Sequence, residues 1–308
     1  MKHFAGSIKK LILCGLSAFS IIGASLGLPM TAFADDTTQG FSMSPMKENM
    51  ILNPGETYQS SFTIFNPATN PTNFSYEINI SPFFVDENYQ NIFSAEGSYS
   101  EITEWITINS PLTGTLTPNQ QEEIYFTVNV PSDAPAGGQY AAIIVSSADP
   151  TTFGEDSAII ERTAIAHTIF AEITGATVHK GDVTDVSVPS FLLSGEISGE
   201  STIKNTGNVH GRATYKLTVN SISGEELYSN VDNPETHDVL PGRTYYHKTS
   251  WENTPAIGIF NVIYSVDFDG VVTDVTSTVI ICPIWLMLVI VGVIALIVGF
   301  IIVKIKKH

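Results

Sequence analysis

The chain repeats itself, and the repeat limits its possible folds more than any other feature. Pro135-Ala136-Gly137-Gly138-Gln139-Tyr140 is echoed by Pro255-Ala256-Ile257-Gly258-Ile259-Phe260, so P-A-x-G-x-aromatic recurs at one internal spacing. Two other landmarks precede each copy in the same order: Ile64-Phe65-Asn66-Pro67 matches Ile203-Lys204-Asn205-Thr206, and Leu116-Thr117-Pro118 matches Leu240-Pro241-Gly242. Paired glycines beside a strand could present backbone N–H groups to an anion, but loops of that kind lead into a helix. Here Tyr140 to Ser147 passes through Ile143, Ile144 and Val145 with no Leu, Lys or Glu, a β-branched bias. The loop therefore reads as a corner between strands. Gly138 and Gly258 are expected to take backbone angles that other residues resist.

Between the two ends of the chain nearly every segment is a short run of β-formers broken by Gly, Pro, Asn and Asp. Examples are Phe62 to Phe65, Tyr76 to Ile80, Ile124 to Val130, Tyr215 to Val219 and Ile259 to Phe268. No window of a dozen residues shows an amphipathic helical period. The expected class is all-β: two tandem immunoglobulin-like β-sandwiches followed by one transmembrane helix. Domain one is expected over 35–174 and ends in a long strand from Ser157 to Ile173. Domain two is expected over 175–278, with Asp269-Gly270 as a two-residue hairpin turn. Tyr140 and Phe260 fall where such sandwiches begin their F strand, the place of a tyrosine corner, and only Tyr140 carries the hydroxyl.

The ends define the setting. Residues 1–34 carry Lys2, Lys9 and Lys10, an apolar run from Leu11 to Leu28, and Ala32-Phe33-Ala34, the pattern of a cleaved secretory signal. Cys14 lies inside that run, after Leu13, where a lipid-attachment site would want a small residue. Residues 279–303 include 20 uncharged positions from Ile284 to Val303, enough to cross a bilayer, and Lys304, Lys306 and Lys307 follow as a basic cytoplasmic tail over 304–308. The expected topology is a single-pass cell-membrane protein with its N-terminal part outside. All 31 acidic residues and only eight basic ones lie in 35–278, a balance of −23 that repels nucleic acid and anionic lipid. The mature exterior part has no cysteine, which favours a prokaryotic surface protein over a disulfide-stapled secreted module.

No catalytic signature emerges, and the chain is expected not to be an enzyme. Ser201-Thr202-Ile203-Lys204 satisfies S-x-x-K, but on a strand the two side chains would face opposite ways. His167, His179, His210, His237 and His247 show no ligand spacing, and Asp267-Phe268-Asp269-Gly270 lacks the remaining positions of a calcium loop. Neither a metal nor a cofactor is expected. The informative segment is the one that breaks the repeat. From Asn66 to Pro118 there are 52 positions, against 36 from Asn205 to Pro241. The extra residues combine Phe83, Phe84, Tyr89, Phe93, Tyr99 and Trp105 with Asp86, Glu87, Glu96 and Glu101. Rings beside carboxylates suit a sugar or a peptide. Phe83, Tyr89, Phe93, Tyr99 and Trp105 are the candidate binding surface; core packing is the competing reading for Phe84, Phe93 and above all Trp105.

The residues N-P-G-E-T-Y (53–58), F-T-I-F-N-P (62–67), E-W-I-T-I (104–108), V-P-S-D-A-P-A-G-G-Q-Y (130–140) and T-I-K-N-T-G-N (202–208) give the chain a resemblance to the bacterial WxL-interacting cell-surface proteins. The resemblance implies tandem immunoglobulin-like domains and a C-terminal anchor, the first domain associated with peptidoglycan and the second with partner proteins. The expected function is that of a membrane-anchored scaffold holding a surface protein or wall polymer near the membrane. The alternative is a chaperone-like assembly factor that offers the edge of the strand ending at Ile173, around Ala164, Ile165 and Ala166, to an incoming strand. A wall-modifying enzyme is the remaining alternative.

Overall fold

A computed structural model describes residues 40–93, 99–148, 151–152, 160–161, 163–232 and 237–306; the expected signal leader lies outside the described residues. From Gln39 onward the chain forms one compact unit. Its first half runs β1 (Ser42–Ser44), β2 (Lys47–Leu52), β3 (Thr57–Phe65), β4 (Phe74–Ser81), β5 (Phe83–Val85), β6 (Asn91–Phe93), one helical turn α1 (Ile102–Trp105), β7 (Ile106–Ile108), β8 (Thr113–Leu116), β9 (Gln121–Asn129), β10 (Gly137–Ser147), β11 (Thr151–Thr152), β12 (Ile160–Glu161) and β13 (Ala164–Ile173). Two sheets carry this half, in the orders β1-β3-β9-β7 and β2-β13-β10-β4-β8. Their facing residues, among them Phe62, Ile64, Tyr76, Ile124, Phe126, Ile143 and Ile169, form one buried cluster. Each such side chain contributes roughly 1.5–3 kcal/mol on burial.

The second half runs β14 (Gly181–Ser187), β15 (Phe191–Leu192), β16 (Ile197–Asn205), β17 (Gly211–Ser221), β18 (Glu226–Val231), β19 (Asp238–Val239), β20 (Thr244–Trp251), β21 (Gly258–Phe268), β22 (Val271–Ile281) and the helix α2 (Ile284–Lys306). Its sheets read β14-β16-β20 and β15-β22-β21-β17-β18. Both halves share one local device: a last strand paired antiparallel on one side and parallel, on the other, to a short strand from early in the same half. These parallel pairs are β13 with β2 and β22 with β15.

The repeated sequence landmarks do equivalent work. Asn66 is buried and its Nδ2 donates to the carbonyls of Thr72 and Leu116, both at 3.0 Å; Asn205 is buried and donates to Val209 and Val239, at 2.8 and 2.7 Å. The backbone oxygens of these asparagines accept from Asn119 and Gly242, which occupy the left-handed region at φ 65° and 72° in equivalent turns after Pro118 and Pro241. That is the type II arrangement, proline first and a positive-φ residue second. Asp269 and Gly270, at φ 49° and 84°, form the expected two-residue hairpin between β21 and β22.

The glycines of the repeated loop work differently from expectation. Gly138 and Gly258 do not have positive φ; that role falls to Gly137, at 130°. A Cβ on Gly138 would lie 2.0 Å from the Tyr140 hydroxyl, and one on Gly258 would lie 2.4 Å from Cζ of Phe260. The aromatic two residues later folds back over the glycine, so space rather than dihedral freedom demands it. Two strand expectations also change. The described strand begins at Ala164 rather than Ser157, with part of the intervening stretch outside the described residues. The last strand runs on to Ile281, past the expected end of domain two at 278, because Ile280 and Ile281 pair with Ile259 and Gly258. Helix α2 then presents apolar side chains all round, none of them buried, and is long and apolar enough to cross a membrane.

Candidate functional site

The first part of the inserted segment, 83–93, folds as a hairpin, β5 against β6, across the outer face of the β2-β13-β10-β4-β8 sheet. Along β13 the alternation is strict: Ile165, Ile169, Ala171 and Ile173 turn into or against the first-half core, while Ala166 and Phe170 join Phe83, Val85, Tyr140 and Ala142 in the cluster that continues into the second half. Phe83 is fully buried between Tyr140 and Phe170, with ring centroids at 6.3 and 5.3 Å.

The hairpin tip is set by Asp86, whose Oδ1 accepts from the N–H groups of Asn88 (2.8 Å) and Gln90 (2.9 Å). This leaves Tyr89 at φ 59° and turns its ring into the second half. There it stacks on Tyr245 at 4.7 Å, meets His237 edge-on at 4.7 Å and shares a 2.6 Å hydrogen bond with the Tyr215 hydroxyl. Burial pushes the phenols of Tyr89 and Tyr215 well above their ordinary range. Tyr245 donates to the Val85 carbonyl at 2.8 Å, and the Arg243 guanidinium lies 5.1 Å from the Phe84 ring centre. Beneath this contact, Asp232 accepts from His247 at 2.9 Å and Thr249 at 2.8 Å. Burial acts to raise its pKa, but these hydrogen bonds prevail and hold it below the usual carboxylate range.

Two of the five candidate binding residues, Phe83 and Trp105, are therefore not available as contact surface, and a third, Tyr89, is half-buried. Phe83 and Trp105 are buried, Trp105 as the last residue of α1 in the first-half core, and Tyr89 is wedged into the second half. Phe93 and Tyr99 are exposed. Phe93 and the half-buried Tyr89 border the groove described next and Tyr99 does not; Glu96, between Phe93 and Tyr99 in sequence, lies outside the described residues. Tyr140 also departs from expectation: its hydroxyl approaches Nδ1 of His210 in the second half, at 3.4 Å, rather than making a corner bond.

Beside the hairpin lies a groove of about 570 Å³. Its floor is the outer face of β13 at Ala164, Ala166, Thr168 and Phe170, and its walls include Met46 and Lys47 on one side and Asn91 and Phe93 on the other. Lys47 sits 4.5 Å from the Phe170 ring centre and is ion-paired with Asp238, whose carboxyl is raised by burial that outweighs the Lys47 charge. The groove opens onto a sheet edge. β2 covers β13 from Thr168 to Ile173, and among the described residues no register covers Ala164 to Ala166 on that side. Ser147 donates to Thr163 on the β10 side and Thr168 donates to Met46 on the β2 side. Alternation then aims the N–H and C=O groups of Ala164 and Ala166 at the open edge. The sequence had marked Ala164, Ile165 and Ala166; Met46, Lys47, Thr168, Phe170 and Asp238 were not marked, since none belongs to a motif.

Ser201 and His167 have structural partners. Ser201 is buried against the Tyr264 hydroxyl at 3.0 Å while Lys204 is exposed. The ring nitrogens of His167 face the Pro45 carbonyl at 2.9 Å and the Glu48 carboxylate at 3.3 Å.

No family model matches the chain, and no curated protein matches it. Among solved structures, the Escherichia coli chaperone DraB is 11% identical, covering 78% of this chain and 96% of its own, with a TM-score of 0.37. The class 5 fimbriae chaperone CfaA (11% identity, 80% and 100% coverage) and the Pseudomonas aeruginosa CupB2 chaperone (11%, 76% and 98%) both give a TM-score of 0.36. At scores this low the likeness carries no argument about this chain.

Proposed function

We propose that this chain is a membrane-anchored envelope protein that holds an extended segment of another surface protein along the open edge of β13, in the groove walled by Phe93 and Met46. The observation carrying this reading is the pair of outward-facing peptide units at Ala164 and Ala166, at the rim of a groove floored by small and apolar side chains. An added strand gains main-chain hydrogen bonds from such an edge and specificity from alternate side-chain contacts. Two immunoglobulin-like sandwiches, outside the cell and tethered by α2, complete the reading. The shared strand order, the equivalent asparagine turns, the leader and the lysine tail support it, as does the resemblance to the WxL-interacting proteins. A peptidoglycan ligand is less favoured, since Phe83 and Trp105 are buried and the Tyr89 ring is held against Tyr245 and His237, which leaves few rings to stack on sugars.

The test is Ala164→Pro. Its N–H points away from β10, so proline there removes an edge donor without breaking a ladder bond. A photocrosslinking residue at Phe93, in the full chain on cells, should capture a defined protein partner. Ala164→Pro should abolish that product with the melting temperature unchanged; retained crosslinking to the same partner rejects edge pairing.

A further inference from the structure

The membrane-proximal end of the second half carries an apolar row that no core absorbs. Ile280 pairs laterally with Phe191 of β15 and with Ile259 of β21, and Ser221 of β17 pairs with Phe260. Extending that register by one residue brings Ile222, the first residue of the turn after β17, opposite Ile259. All four side chains are exposed, Ile222 at 67%. Their neighbours along β22, Val279 and Ile281, are buried, so the strand's alternation places Ile280 on the outer face of the sheet. Leu193 and Ile257, in the loops at the same end, are exposed as well.

The row lies beside the start of α2. The Cys282 N–H donates to Leu192, and the Pro283 carbonyl accepts from Leu286 and Met287 in the first turn of the helix. The sheet thus passes into the helix with no free linker. Ile280 precedes Ile284 by four residues, a reach of at most about 13 Å. The interfacial zone of a bilayer is roughly 5–8 Å deep on each side of the hydrocarbon.

We infer that Phe191, Ile222, Ile259 and Ile280 form a bilayer-seating surface, dipping into the headgroup region of the leaflet from which α2 enters. The inference rests on the reading of α2 as a membrane anchor. The occupant is lipid rather than a second protein because the surface continues directly from an apolar helix exposed on all sides. The row carries no charge, so the contact is apolar and needs no anionic lipid. Chains of mixed apolar and aromatic residues at that depth bind by buried area.

The test uses the full chain in phosphatidylcholine nanodiscs, in a Cys14→Ser, Cys282→Ser background, with one environment-sensitive fluorophore at Ile222→Cys, Leu288→Cys or Val231→Cys. Val231 is an exposed apolar position at the far end of β18. With brominated lipid, the Leu288 probe reports the anchor, and the Ile222 probe should lose roughly half its emission or more while the Val231 probe is unchanged. Quenching at Leu288 with Ile222 indistinguishable from Val231 overturns the seating surface and leaves the anchor standing. An unquenched Leu288 probe overturns the anchor and the seating surface together.

Discussion

Tyr89 shows how a single residue is assigned by its surroundings. In sequence it is a tyrosine among acids in an insertion, the profile of a ligand-contacting side chain. In the structure the Asp86 turn throws it to φ 59° and drives the ring between Tyr245 and His237, with its hydroxyl on Tyr215. Removing the ring leaves a cavity between the halves and an unpaired Tyr215 hydroxyl. Tyr89→Ala should cost about 3 kcal/mol of stability. Tyr89→Phe, which loses only the hydrogen bond, should cost about 1–2 kcal/mol. In thermal melts these correspond to falls of about 6–12 °C and 2–8 °C for a unit of this size. An unchanged melting temperature for Tyr89→Ala would return the residue to the list of surface contacts.

Among the elements, the asparagine-anchored turns carry the duplicated architecture. Asn205 ties the end of β16 to the turn before β20 through two buried donated bonds, and accepts a third, half-buried one from Gly207 at 2.8 Å. Asn66 ties β3 to the turn before β9 and is itself held by Asn70 at 2.9 Å. Alanine at Asn205 strands the Val209 and Val239 carbonyls in the interior, and alanine at Asn66 strands the Leu116 carbonyl and the Asn70 amide there, each group costing about 1–3 kcal/mol. Asn205→Ala and Asn66→Ala should therefore each lower stability by about 2–4 kcal/mol in denaturant titrations. Asparagines that only decorated loops would instead shift it by less than about 0.5 kcal/mol.

Across the whole molecule, the contact between halves is built around the P-A-G-G-Q-Y loop. Gly138 donates to the Asn208 carbonyl at 2.7 Å, and Asn208 reaches Ala136 and Ala176. His210 packs there against Tyr140 and Phe170, at 5.6 and 5.3 Å. Burial, followed by the charges of Lys47, Arg212 and His179, lowers its pKa from 6.5 to about 4. The unfolded chain then binds a proton between those values that the folded chain refuses. Stability from a neutral His210 is complete above pH 6.5 and is lost as the pH falls toward 4, by at most about 3 kcal/mol. His210→Phe, which keeps a ring in the contact, should flatten that acid slope. Melts of the full chain from pH 7 to pH 4 check this: parallel curves for wild type and variant would show that His210 does not titrate with folding.

The turns, the strand alternation, the Asp269-Gly270 hairpin and the apolar C-terminal helix could be read from the chain because each depends on local backbone chemistry. Proline before a positive-φ residue makes the same turn wherever it stands, and a run of 20 uncharged residues is long and apolar enough, as a helix, to cross a membrane. The aromatic insertion could not be read that way. Phe83, Tyr89 and Phe93 sit on one short hairpin with similar neighbours, and what separates them is what lies across from each: Phe170 for Phe83, Tyr245 and Tyr215 for Tyr89, open groove for Phe93. The glycine of the repeated motif was recognised, but its cause, a ring folded back over it, exists only once the strands are paired. Burial is a property of distant segments brought together, so only the tertiary structure could decide which aromatics the molecule keeps and which it shows.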